Sequence, residues 1–305
     1  MKTSTVVTKN QQTSYGEMGK DERGFVYSKT WVVSLVALAA LFVPTNGVRA
    51  AGLALPYSFF LEHPYSITAV RGNFEIIDLD GSGGLFMNQM RADINVYQNL
   101  FGIYGKFPFA GVTSFSPGDE DDYDFGNIGV GGKVVLLNTD SAVLTGGFEV
   151  ILPTTNNHLE AVAARTYFRD FSYFVDDALT LKPYAAFGYS QGIFGFQANF
   201  DADILTNADE VEDDNNELIL KYGAAVSVTP NLALPFSTSF LLELLVVSST
   251  SFDDNITGAY LTPGFRFGGE IVSLGAGVEI PLGSDQVTDF ANLGFFLDLL
   301  IRFGS

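Results

Sequence analysis

The C-terminal stretch Leu293–Phe303 restricts the fold more than any other part of the chain. Read at a period of two, Leu293, Phe295, Leu297, Leu299, Ile301 and Phe303 share one face. Gly294, Phe296, Asp298, Leu300 and Arg302 share the other. The first face has no polar side chain; the second carries an acid and a base. Strand side chains alternate between two faces, so this segment suits hydrocarbon on one side and an enclosed interior on the other. A buried strand of a soluble sandwich alternates as well, but with fewer large apolar side chains on one face.

The pattern recurs from Ser66 onward in about twelve segments of strand length, the repeated signature of an all-β, transmembrane antiparallel β-barrel. Ile67–Asp78 sets Val70, Phe74 and Ile76 against Arg71, Asn73 and Glu75. Phe86–Gln98 sets Met90, Ala92, Ile94 and Val96 against Arg91, Asp93, Asn95 and Tyr97. Leu100–Val112 opposes Phe101, Ile103, Phe107 and Phe109 to Tyr104 and Lys106, and Phe125–Leu137 opposes Ile128, Val130, Val134 and Leu136 to Asn127 and Lys133. Ala142–Leu152 opposes Leu144, Phe148 and Val150 to Thr145 and Glu149. Leu179–Ser190 turns Lys182 and Tyr184 inward, and Ile193–Leu205 turns in Gln197, Asn199, Asp201 and Asp203. Glu217–Thr229 carries Lys221, Pro235–Val247 carries Glu243, Tyr260–Phe267 carries Arg266 and Ile271–Leu282 carries Glu279. A Lys or Arg facing lipid at mid-depth costs ~2–4 kcal/mol, which is why the charges keep one phase.

The connections separate a membrane barrel from a sandwich. Gln98 and Asn99, Asn138–Ser141, Gln191 and Gly192, Pro230–Leu234 and Gly268–Glu270 are tight. They alternate with Leu79–Leu85, Thr113–Asp124, Pro153–Ala178, Thr206–Asn216, Ser248–Ala259 and Gly283–Asp289. Short periplasmic turns against longer outer loops, in an up-and-down meander, predict an outer-membrane barrel over residues 66–305 with both ends in the periplasm.

Upstream, the apolar run Trp31–Val43 is too short for a spanning helix, which needs about 20 residues. Lys20, Arg23 and Lys29 precede it, and Val48 and Ala50 stand at the −3 and −1 positions of a cleavage site. Residues 1–50 therefore read as a secretory signal peptide, with Met1 or Met18 as its start. Residues 51–65 are left as an N-terminal periplasmic segment or a plug. The chain has no Cys, which excludes disulfides and thiolate chemistry. Its net charge of −19 argues against nucleic acid as a partner.

Basic and acidic residues share the expected lumen: Arg71, Arg91, Lys106, Lys133, Lys182, Lys221, Arg266 and Arg302 against Glu75, Asp93, Glu149, Asp201, Asp203, Glu243, Glu279 and Asp298. With Tyr184 these are the candidate lining residues. Two readings stand: a salt-bridge network that fills the barrel, or a selective path. The surplus acids fall in loops, in Asp119–Asp122 with Asp124 and in a cluster from Asp209 to Asp214. No calcium-loop spacing occurs and no metal or cofactor is expected. A barrel of about twelve strands leaves a narrow lumen that a short segment can fill. Ala51–Pro64 is one such segment. Arg165–Val175 in the longest outer loop is the other, with Tyr167, Phe168, Phe171, Tyr173 and Phe174 as gate candidates.

Catalytic chemistry is thin. His63 and His158 are the two imidazoles; His63 reads as the lead-in to the first strand and His158 as a loop residue. No nucleophile elbow, phosphate loop or zinc spacing is present, so no enzyme is expected.

Several segments carry a resemblance: LFGIYGKFPFAGV from Leu100, DFGNIGVGGKVVLL from Asp124, AVLTGGFEVILPT from Ala142, ALTLKPYAAFGY from Ala178, YLTPGFRF from Tyr260 and SLGAGVEIPLG from Ser273. Together they resemble the outer-membrane barrel family named for the MetA pathway of phenol degradation, with FadL-like transporters as relatives. An aromatic residue near the chain end, Phe303, resembles the sorting signal of such barrels, here with Gly304 and Ser305 after it. The resemblance implies a porin-like transporter of Gram-negative bacteria that passes small, often aromatic or hydrophobic, solutes. Its partners would be outer-membrane lipid and lipopolysaccharide, the barrel-assembly machinery and the solute. The alternative is a plugged structural or surface-interaction barrel that acts through acidic extracellular loops.

Overall fold

Alternation forces a strand to choose between its faces, and a chain of such strands has one stable arrangement in lipid: a sheet closed on itself. The computed structural model describes residues 55–79, 83–114, 122–155, 169–206, 216–232, 236–249, 257–283 and 293–303. Its strands are β1 (Ala69–Leu79), β2 (Gly83–Tyr97), β3 (Phe101–Ser114), β4 (Asp122–Phe125), β5 (Ile128–Asn138), β6 (Ala142–Leu152) and β7 (Leu179–Gln191). They continue with β8 (Phe194–Thr206), β9 (Asn216–Val228), β10 (Ser237–Ser249), β11 (Thr257–Gly268), β12 (Val272–Gly283) and β13 (Gly294–Arg302). Apart from β4 and β5, neighbours in sequence pair antiparallel, and β1 pairs with β13 from Ala69↔Arg302 to Ile77↔Gly294, which closes the ring. Sheet closure satisfies the backbone of every strand without leaving an edge.

β4 and β5 occupy one position in the wall. Both pair with β3, β4 through Phe109–Val112 and β5 through Phe101–Lys106, so the barrel is twelve-stranded. The sequence places a loop through Asp124 and begins the strand at Phe125. Strand pairing instead resumes at Asp122 and breaks at Gly126 and Asn127. The break is stapled from inside: Asn127 N–H donates to the Tyr173 carbonyl at 2.6 Å, and Asn127 Nδ2 to the Val175 carbonyl at 2.7 Å. Two bulges, at Asn95/Tyr97 and Val135/Leu137, shift strict alternation. Tyr97, expected inward, is therefore exposed.

The outer wall is apolar. On β13, Phe295 and Leu297 are 57% and 56% exposed while Phe296 and Asp298 are 3% and 0% exposed. The same outward exposure marks Ile76, Ile94, Val130, Phe200, Phe240 and Leu274 on six other strands. Continuous exposed apolar surface of this extent is incompatible with water and is the surface a barrel turns to hydrocarbon. Of the sequence-expected domains, residues 1–50 lie outside the described residues.

Leu297→Arg is therefore costly. Its guanidinium would enter the lipid belt, lowering stability in vesicles by ~2–4 kcal/mol, measurable by denaturant unfolding, whereas a Leu→Ala change there would cost less.

Candidate functional site

The interior is where strand parity sends most of the strand charges, so its chemistry is set by what meets those charges. Ten residues of the N-terminal segment, 55–64, do so. The segment turns back on itself inside the barrel: Tyr57 stacks on His63 at 3.7 Å between ring centroids, with Phe59 to Glu62 at the tip. Leu55 packs with Tyr65 and Val143, Tyr57 with Ala69 and Leu300, and Phe59 with Leu241 and Phe296.

The lumen wall grips this segment by its main chain. Gln197 donates to the Pro56 carbonyl at 2.8 Å, and Arg266 Nε to the Tyr57 carbonyl at 2.9 Å. Arg71 reaches the Ser58 and Phe59 carbonyls at 2.8 and 2.6 Å. Lys133 donates to the His63 carbonyl at 2.9 Å, and Thr145 donates to that of Pro64. The Glu243 carboxylate accepts from the N–H groups of Phe59 and, at 3.1 Å, of Phe60. With its amide oxygen toward the segment, Asn199 accepts from the Glu62 N–H at 2.9 Å.

Glu62 is the charged centre of the segment. Arg91 Nη1 contacts both its oxygens, at 2.7 and 2.6 Å, and Lys106 Nζ donates to Oε1 at 2.7 Å. Burial disfavours its ionisation, but Arg91, Lys106 and Lys133 outweigh burial and hold the carboxyl well below the usual carboxylate range. Burial, followed by the Lys133 charge, pushes the His63 imidazole well below its ordinary value, so it is neutral at pH 7.

A second segment enters from the long-connection end. Arg169 reaches Glu75 at 2.5 Å, Asp170 at 2.6 Å and also Glu279. Its guanidinium lies 4.1 Å from the Phe60 ring centroid, so the two segments touch. After it, a single 3-10 turn, Phe171–Tyr173, buries Phe171, Tyr173 and Phe174 among Ile77, Leu85, Ile151 and Tyr260. Tyr173 donates to Glu149 Oε1 at 2.7 Å, and Lys106 donates to Glu149 Oε2 at 2.9 Å. Between the two segments and the wall remains a cavity of about 100 Å³, bordered by Asn73, Asn88, Asp201 and Lys221.

The candidate lining residues thus fall into groups. Arg71 and Arg266 share Asp298, at 2.5 and 2.7 Å. Arg91 also holds Asp93 at 2.8 Å. Lys221 meets Asp203 at 2.6 Å, and Lys182 meets Asp201 and Asp203 at 3.4 and 3.5 Å. Tyr184 is buried beside Tyr104, and Arg302 sits at the rim over the Tyr57 ring. Of the gate candidates, Phe171, Tyr173 and Phe174 lie in the interior, whereas Tyr167 and Phe168 fall outside the described residues. So do His158 and most of the acidic loop residues.

Sequence reasoning missed Glu62 and Arg169, since neither lies on a strand with a readable phase. It also missed the hollows left by glycines. A Cβ at Gly275 would stand 2.7 Å from Phe59 Cε1, and one at Gly264 would stand 2.6 Å from Phe59 Cε2. The Phe59 ring occupies the space where two adjacent strands lack side chains.

No family model and no curated protein matches the chain. Solved structures similar in fold include the β domain of the Bordetella autotransporter BrkA (11% identity, 78% of this chain, 100% of that one, TM-score 0.47). A KdgM porin aligns at 8% identity over 77% of this chain and 99% of that one, TM-score 0.46. LpxR from Salmonella typhimurium aligns at 11% identity over 77% and 100%, TM-score 0.44.

Two outcomes follow for the seated segment. Glu62→Gln removes the shared anion while leaving Asp93 and Glu149 to Arg91 and Lys106; docking weakens by ~1–3 kcal/mol, read as faster protease cleavage within residues 55–64. Acid loosens it too. The unseated His63 gains a proton that the seated one refuses, so docking weakens as pH falls below about 6.5. It weakens again near about pH 4, where unseated Glu62 protonates before the seated one. Cleavage measured against pH shows both steps, and His63→Ala removes the first.

Proposed function

We propose that this chain is an outer-membrane channel for small solutes, closed at rest by its own N-terminal segment and by the segment around Arg169. One observation carries this reading: much of the barrel interior is occupied by two segments that are not strands, held to the wall by buried ion pairs and hydrogen bonds as well as by apolar packing. A barrel built only for stability gains little from burying so many charges, because their mutual attraction does little more than offset the cost of desolvating them. With the two segments withdrawn, the same Arg, Lys, Asp and Glu side chains would face water and line a path. Passage is down a gradient and uses no catalytic group.

The solute class follows from the Phe59 seat. A ring held between Gly264, Gly275 and Phe296, with Arg266 5.3 Å from its centroid, supports a small aromatic or hydrophobic solute that shares the seat when the segment leaves. The resemblance of the strands to the phenol-degradation barrel family and its FadL-like relatives points the same way. A second reading, a permanently plugged structural or surface-interaction barrel, is favoured by the direct contact of Arg169 with Phe60 across the lumen.

Planar-bilayer recording separates the two. The intact protein should conduct rarely, and Gly275→Leu, which displaces Phe59, should raise the open fraction at least tenfold, the equivalent of about 1.4 kcal/mol. A Gly275→Leu barrel that inserts and stays silent, with no solute flux into vesicles, supports the plugged reading.

A further inference from the structure

We infer that the lumen wall is a receptor for a peptide loop, and that with residues 55–64 unseated it takes a separate peptide of the same chemistry. The way the segment is held points to this independently of whether solutes pass. Six carbonyls, from Pro56, Tyr57, Ser58, Phe59, His63 and Pro64, receive hydrogen bonds from Gln197, Arg266, Arg71, Lys133 and Thr145. Two N–H groups share one carboxylate, Glu243, and a third is placed on Asn199. These donors and acceptors belong to side chains on six different strands, and they address the peptide group, which every peptide has.

Sequence is read at three places. The glycine hollow at Gly264 and Gly275 admits a flat ring at the Phe59 position. Gly223 admits a branched aliphatic at the Leu61 position, where a Cβ would stand 2.5 Å from Leu61 Cδ2. Arg91 and Lys106 require an acid at the Glu62 position. The ligand is therefore a peptide that turns, with an aromatic residue followed two places on by an aliphatic and three places on by an acid. A wall serving only as a stopper's bed needs steric fill; paired main-chain donors and acceptors are the apparatus of peptide recognition. The tethered segment competes at an effective concentration on the order of millimolar, so the receptor shows itself only when that segment is weakened.

The test uses the full chain in detergent and a fluorescent synthetic decapeptide, LPYSFFLEHP, as probe. Phe59→Ala and Glu62→Gln, made separately, weaken the tethered segment and leave the wall intact. Both should bind the probe saturably, at least roughly tenfold more tightly than the unaltered chain. A probe with Ala for the first Phe and Gln for the Glu should lose that binding. Strand content by circular dichroism and heat-modifiable gel migration establish that each variant is folded. If one fails to fold, the other and the unaltered chain titrated to millimolar probe still decide the matter. Absence of saturable binding in every folded protein, or equal binding of a scrambled probe, overturns the inference. Conductance of the same preparations is recorded alongside: a barrel that conducts but binds no probe sinks this inference alone, and one that binds but never conducts sinks only the channel.

Discussion

Charge has one direction to go in a closed sheet immersed in hydrocarbon, and the rest of this structure depends on that constraint. Outward positions accept only apolar side chains, because a cation at mid-depth in lipid costs ~2–4 kcal/mol. Inward positions then collect the ionic side chains of the spanning strands, and these need partners once water is excluded. The wall supplies some of them, as in the sharing of Asp298 by Arg71 and Arg266. Others come from segments that are not strands at all. Glu62 completes Arg91 and Lys106, and Arg169 answers Glu75 and Glu279. Closure of the lumen and compensation of its charges are thus one event, and a change that undoes either disturbs both.

The two filling segments differ in kind. The outer one is anchored by aromatic burial, with Phe171, Tyr173 and Phe174 in the largest apolar cluster, and it also repairs the wall where β4 breaks from β5. The N-terminal one is held mainly through its peptide groups and through Glu62. Apolar packing around Phe59 and Leu61 is shaped by missing side chains at Gly264, Gly275 and Gly223. Binding built from many directional contacts, each worth about 1 kcal/mol, is specific yet separable, which suits a reversible stopper better than a permanent core.

Much of the fold was legible because period-two alternation is a local property. Arg71 beside Phe74, or Asp298 beside Leu297, announces which face is which without knowledge of any neighbour. Parity fails where the backbone gains a residue, so the bulge at Asn95/Tyr97 turned Tyr97 outward against expectation, and the break at Gly126 hid β4 in a loop. The site was less legible. Strand phase says that Arg91 points inward, but not that it meets a carboxylate 29 residues earlier in the chain. The apolar, partnerless character of residues 51–64 marked a segment in need of burial. Nothing in it announced a loop closed by Tyr57 on His63, since that contact depends on the shape of the cavity around it.

The chain contains no cysteine, so single substitutions to Cys report cleanly on place. The most direct measurement is thiol accessibility of Phe60→Cys and Leu297→Cys in proteoliposomes, using a bulky membrane-impermeant maleimide and a lipid-dissolved one. The account predicts that Cys at 297 reacts with the lipid-dissolved reagent alone and that Cys at 60 reacts slowly with both until the protein is unfolded. Rapid labelling at 60 by the impermeant reagent in the folded barrel, or at 297 from water, would contradict it.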